Sequence, residues 1–105
     1  MHPLPRTHAM SLSSLTPADF EPHVDRDFAA EANGKRLDLK LAAVERLGTA
    51  LREGGAFSLL FLSAPGPFLA QGVYPIAHPT LGTLELFMVP LGPKDGGNSY
   101  QVIFT

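Results

Sequence analysis

Phe28-Ala29-Ala30-Glu31-Ala32-Asn33-Gly34-Lys35-Arg36-Leu37-Asp38-Leu39-Lys40-Leu41 is the stretch on which the fold turns. Asn33-Gly34 suits a two-residue hairpin loop, which needs positive φ at both positions. Behind it, Phe28 to Ala32 reads as one strand. Ahead of it, Arg36 to Leu47 reads as the next, with Leu37, Leu39 and Leu41 alternating against Arg36, Asp38 and Lys40. The alternation falters at Ala42-Ala43. Either a bulge shifts the face and brings Val44 inward, or the strand ends there. A competing reading takes Leu41, Val44, Leu47 and Leu51 as one face of a helix over residues 40–52, a segment rich in good helix formers. Gly48 and Thr49 weaken that helix, so the strand is the expectation. The helix would make the chain α+β.

Downstream, four more runs have strand length and strand pattern. Phe57 to Ser63 is apolar and bounded by Gly54-Gly55 and Pro65-Gly66-Pro67. Gly72 to His78 places Tyr74, Ile76 and His78 on one face. Pro75 lacks a donor, which predicts an edge strand or a bulge. Thr83 to Val89 alternates Leu84, Leu86 and Met88 with Glu85, Phe87 and Val89, and Pro90 to Pro93 is expected to end it. Lys94 to Asn98 reads as a polar loop, and Ser99 to Phe104 as a last strand with Tyr100, Val102 and Phe104 on one side. Six short, turn-linked strands predict an all-β fold, a small antiparallel barrel or sandwich. One short helix precedes them: Thr16 as N-cap, Pro17 at the first helical position, Asp19 near the positive end, and Leu15 with Phe20 as a hydrophobic staple. Residues 1–9, with Pro3 and Pro5, are expected to be a disordered extension ahead of a single domain over residues 10–105.

At 105 residues the chain fits one domain. It has no cysteine, which excludes disulfides, thiolate metal sites and a thiol nucleophile. A net charge of −2 gives no general grip on nucleic acid or acidic lipid. No apolar run approaches the ~20 residues of a membrane-spanning helix. The head is too short and polar for a secretory signal, so a cytoplasmic location is expected. The charges are unevenly placed. Beyond Glu53 only Glu85, Lys94 and Asp95 are charged. A long segment so poor in charge is either core or a surface covered by a partner, since interface centres are depleted of charge and enriched in aromatics and Met.

Met10-Ser11-Leu12-Ser13-Ser14-Leu15-Thr16-Pro17-Ala18-Asp19-Phe20, Phe57-Ser58-Leu59-Leu60-Phe61, Gln71-Gly72-Val73-Tyr74, His78-Pro79 with Leu81-Gly82, and Leu86-Phe87 with Val89-Pro90 stand out as segments. Together they resemble a family of small uncharacterised bacterial domains. The resemblance spans residues 10–105. It implies no particular activity. It does imply a setting, since such domains accompany bacterial phage-tail-like proteins.

No constellation of catalytic residues stands out. His2, His8, His23 and His78 show no metal-ligand spacing, and a zinc site would need His23, His78 and a carboxylate such as Asp25 to converge. No metal or cofactor is expected. His78, before Pro79, reads as a turn residue whose ring packs on Tyr74 or bonds a backbone carbonyl. Asp19, Glu21, Asp25, Asp27 and Glu31 read as a solvated rim. Glu85 is expected to point outward or to pair with Arg36 or Lys40 across the sheet. There is no Gly-x-Ser-x-Gly elbow and no phosphate-binding Gly-Lys-Ser/Thr. Phe68 and Leu69, at the Pro-Gly tip, are expected at the surface, and with Phe87 and Val89 they make a candidate contact patch. The reading is a non-catalytic structural or protein-interaction module, with a protein partner or a homo-oligomer and no nucleic acid or membrane. The alternative is a small-ligand-binding barrel, or an enzyme using Glu85 or His78.

Overall fold

The computed structural model describes residues 15–32, 34–48, 56–65, 68–94 and 96–104. The expected extension 1–9, the start at Met10 and Asn33 itself lie outside them. A one-turn helix, α1 (Pro17–Phe20), runs into a 3₁₀ turn, Glu21–His23. Six strands follow among the described residues: β1 (Asp27–Ala32), β2 (Lys35–Gly48), β3 (Ala56–Ser63), β4 (Gly72–His78), β5 (Gly82–Lys94) and β6 (Gly97–Phe104). All pair antiparallel in the order β1-β2-β3-β6-β5-β4, and β4 returns to β1 to close a barrel. No helix among the described residues is long and apolar enough to cross a membrane.

The barrel is two three-strand meanders joined at both seams. The middle strand of each meander is long because it serves two partners in turn. β2 pairs with β1 from Lys35 to Lys40 and with β3 from Lys40 to Gly48. β5 pairs with β4 up to Met88 and with β6 from Val89 onward. β3 and β4 stand opposite each other in the ring, so the connection between them crosses one end of the barrel. The helix occupies the other end.

The turns follow local chemistry. Ala32 pairs with Lys35, leaving a two-residue loop in which Gly34 has φ 76°. Lys94 pairs with Gly97, so the β5–β6 connection is as tight as the first, with Gly96 at φ 81°. The expected polar loop over Lys94–Asn98 is therefore mostly strand. Asp-Gly carries the same signal as Asn-Gly, and for the same reason. At α1, the Asp19 carboxylate accepts the Thr16 backbone N–H at 2.8 Å and its hydroxyl at 3.3 Å. Leu15 and Phe20 are both fully buried.

Residues 40–48 are strand. The register of β2 against β3 shifts between Leu41 and Ala43, and Val44 packs against the core. The bulge absorbs one residue, so Val44 returns toward the inner face once Ala42 is set aside, and a further shift follows between Arg46 and Gly48. β5 also runs further than expected, through Pro90 and Pro93. A third register shift falls between Pro90 and Gly92, where Gly92 takes φ 111° and its carbonyl accepts the Ser99 hydroxyl at 2.8 Å. Prolines are tolerated beside such a bulge. Pro75 is accommodated differently. The β1–β4 seam holds only Ala29↔Ala77 and Ala30↔Ile76, and it ends one residue before Pro75.

The inward positions fill the barrel. Phe28, Leu39, Leu41, Phe57, Leu59, Phe61, Ile76, Leu84, Leu86, Met88, Tyr100, Val102 and Phe104 all belong to one buried cluster. At the helix end, Phe57 and Phe104 stack with centroids 4.4 Å apart, and Phe20 closes over them at 5.9 and 5.8 Å. At the crossover end, Leu69 is buried and donates its N–H to the Tyr100 hydroxyl at 3.0 Å, while the Tyr74 hydroxyl donates to the Ala70 carbonyl at 2.6 Å.

Candidate interaction surface

A strand in a filled barrel sends alternate residues outward, and here the outward residues differ around the ring. On β1 and β2 they are Asp27, Glu31, Arg36, Asp38 and Lys40, all exposed. On β4, β5 and β6 they include Val73, Phe87, Leu91 and Ile103, each between 49% and 59% exposed. Val73 and Phe87 are direct cross-strand partners, which places their Cβ atoms roughly 5 Å apart. Val89, half-buried, comes next on the same face of β5 and pairs with Gln101, two residues from Ile103 along β6. These side chains place exposed apolar residues on the outer faces of three neighbouring strands, the kind of clustering that marks contact sites.

Of the four residues expected to form the patch, the structure brings Phe87 and Val89 together. Phe68 is exposed elsewhere, on the crossover, with its ring 6.3 Å from that of Tyr100. Leu69 is not at the surface. At 7% exposure it belongs to the core, drawn inward as the crossover spans the barrel end. Val73, Leu91 and Ile103 complete the surface and were missed. The signal for Val73 was its place opposite Tyr74 and Ile76 in the alternation of β4. Ile103 likewise alternates with Val102 and Phe104.

Glu85 is exposed on the outer face, opposite Pro75. The neighbours of β5 are β4 and β6, so neither Arg36 nor Lys40 of β2 can be its cross-strand partner. Arg36 instead holds Asp38 at 2.9 Å.

The other polar feature lies at the helix end. Pro22, His23, Asp25, Arg26, Asp27, His78, Pro79 and Thr80 line an open groove. His78 is 9% exposed, and its Nδ1 accepts the backbone N–H groups of Thr80 at 3.0 Å and Leu81 at 3.3 Å. It caps the β4–β5 turn as an acceptor, and its ring packs on His23 and Phe28, with centroids at 4.2 and 4.6 Å, rather than on Tyr74. Burial first, and the neighbouring His23 second, lower its pKa from the ordinary 6.5. His23 and His78 thus do converge, with Asp25 on the same groove. Even so, no group of three or more metal-ligating side chains occurs among the described residues.

A family model described as a domain of unknown function, DUF6916, matches residues 15–104. No curated protein and no solved structure matches the chain.

Proposed function

The chain belongs to the DUF6916 family of domains of unknown function, and we propose that it is a non-catalytic structural module that assembles through the outer face of β4, β5 and β6. The observation that carries this reading is the Val73–Phe87 pair, continued by Val89, Leu91 and Ile103, on strands whose other faces already fill the core. One packed layer has no second use for these side chains, so they stay wet unless another protein covers them. The first partner to expect is a second copy of the chain. An apolar face with little charge is self-complementary, and two copies can meet on it about a two-fold axis without opposing like charges at its centre. A setting in a phage-tail-like or other bacterial assembly, which the family resemblance implies, suits such a module, as does a cytoplasmic location.

Light scattering across a concentration series tests this reading. The wild-type chain is expected to gain mass with concentration, and Phe87→Asp to remain monomeric with an unchanged circular dichroism spectrum. A wild-type chain that stays monomeric to about 1 mM, a Kd above which association counts for little, would remove the proposal. The ligand-binding or enzymatic alternative lacks comparable support. The inward positions are occupied by large side chains, and Glu85 sits alone on an outer face.

A further inference from the structure

We propose that His23 and His78 form an acid-released latch, fastening the segment between α1 and β1 to the β4–β5 turn. His23 ends the 3₁₀ turn and His78 ends β4, 55 residues later, yet their rings lie 4.2 Å apart at 60°. Phe28 flanks both, with its ring 4.6 Å from that of His78 and 6.5 Å, edge-on, from that of His23.

The hydrogen bonds define the protonation state in which the latch is closed. A ring nitrogen that accepts from Thr80 and Leu81 carries no proton, so His78 is neutral with its hydrogen on Nε2. Protonating Nδ1 turns an acceptor into a donor facing two donors, and both turn bonds are lost. The neighbouring His23 ring, 4.2 Å away, also disfavours the charged form of His78. Desolvation of His78 acts in the same direction.

The remaining charged groups do not offset this. Asp25, Arg26 and Asp27 line the groove, and Arg36 lines its continuation beside His78. Lys40 stands across from Asp27 on β2, and Glu21, in the same turn as His23, is held by Arg46 of β2 at 3.0 Å. Asp25 and Asp27 favour a charged imidazole, and Arg26 and Arg36 oppose it. Neither carboxylate forms an ion pair with either ring. The turn side contributes only Pro79, Thr80 and Leu81, which are uncharged.

Opening is local. Leu15 and Phe20 hold α1 in the core whatever the histidines do. The segment set free is the one around Asp25, a non-glycine residue at φ 70°. The Asp25 N–H to Leu41 carbonyl bond at 2.7 Å and the Arg26 N–H to His23 carbonyl bond at 3.0 Å hold it there. Left-handed backbone at a residue with a side chain is uncommon, so a loosened segment has a lower-energy conformation to relax into.

Nuclear magnetic resonance on the full chain, titrated from pH 8 to pH 5, tests the latch. At pH 8 the His78 ring should show the Nε2–H tautomer, and its midpoint should lie below 6.5. The amide signals of residues 23–27 and of His78, Thr80 and Leu81 should shift or broaden with that midpoint, while those of Phe20, Phe57 and Phe104 stay in place. His78→Asn offers an acceptor oxygen where Nδ1 stood and cannot titrate in this range. It should keep the turn and abolish the acid transition at residues 23–27. His23→Gln should raise the His78 midpoint. A proton on Nδ1 at pH 8, a wild-type midpoint at or above 6.5, or the same transition in His78→Asn would each overturn the proposal. If His78→Asn does not fold, the wild-type tautomer and midpoint decide alone.

Discussion

The β1–β2 side of the barrel and the β4–β5–β6 side share a core and differ in what they show to water. Inward, both present large apolar residues: Phe28, Leu39 and Leu41 on the first, and Ile76, Leu86, Met88 and Tyr100 on the second. Outward, the first shows mainly charge, with Glu31, Arg36, Asp38 and Lys40 solvated and Leu47, 45% exposed near the end of β2, as its large apolar exception. The second places Val73, Phe87, Leu91 and Ile103 where charges would be expected. A half-buried strand needs apolar residues on one face only. The inner pattern therefore reports the fold, and the outer difference is what the proposed assembly surface rests on.

The comparison requires the inner faces to be equally intolerant. Phe57→Ala removes a ring packed between Phe20 and Phe104 and should cost about 3–5 kcal/mol by chemical denaturation. Gly97→Ala should be comparably severe, at about 2–4 kcal/mol, because a Cβ there would collide with the Ser63 carbonyl oxygen of the adjoining strand. If either variant is nearly neutral, the barrel is not packed as described.

The outer faces should then separate. Phe87→Asp is expected to change stability by less than about 1 kcal/mol and to weaken association by roughly 10-fold or more. Unfolding instead would make Phe87 part of the core and dissolve the contrast. The pH dependence of stability is a smaller effect. Because His78 has its pKa lowered on folding, the unfolded chain binds more protons in the window between that lowered value and 6.5. Stability should be full above pH 6.5 and fall as the pH drops through that window. Denaturant titrations between pH 7.5 and 5 check the sign, and His78→Asn should flatten the slope. Smallest of all, Arg36→Ala breaks an ion pair whose two side chains are each 69% exposed. It should cost under about 0.5 kcal/mol and leave association unchanged.

What could be read from the sequence divides along the same physical line. Local signals carried far. The Thr16-Pro17 start, the two-residue loop at Gly34, the bulge after Leu41 and the alternation of Leu84, Leu86 and Met88 each depend on residues a few positions apart. Features set by distant partners were not legible. Leu69 is inside because Tyr100, 31 residues later, takes its N–H. His78 meets His23 because β4 closes on β1, and no periodicity announces that seam. β5 outlasts Pro90 because Gly92 and Ser99 on two strands cooperate in a bulge. The candidate surface was half legible. Phe87 and Val89 stand out in a strand apolar on both faces, whereas Val73, Leu91 and Ile103 join them only once the strand order is known.

The chain has no cysteine, so a single introduced one reports its own surroundings, and oxidative cross-linking tests the contact face most directly. Val73→Cys, on the apolar face, and Asp38→Cys, on the charged side, should both remain folded. On mild oxidation at a concentration where the wild type associates, Val73→Cys is predicted to yield covalent dimers and Asp38→Cys to remain monomeric. Equal cross-linking of the two, or cross-linking of Asp38→Cys alone, would contradict the assignment of the β4–β5–β6 face as the surface through which this barrel assembles.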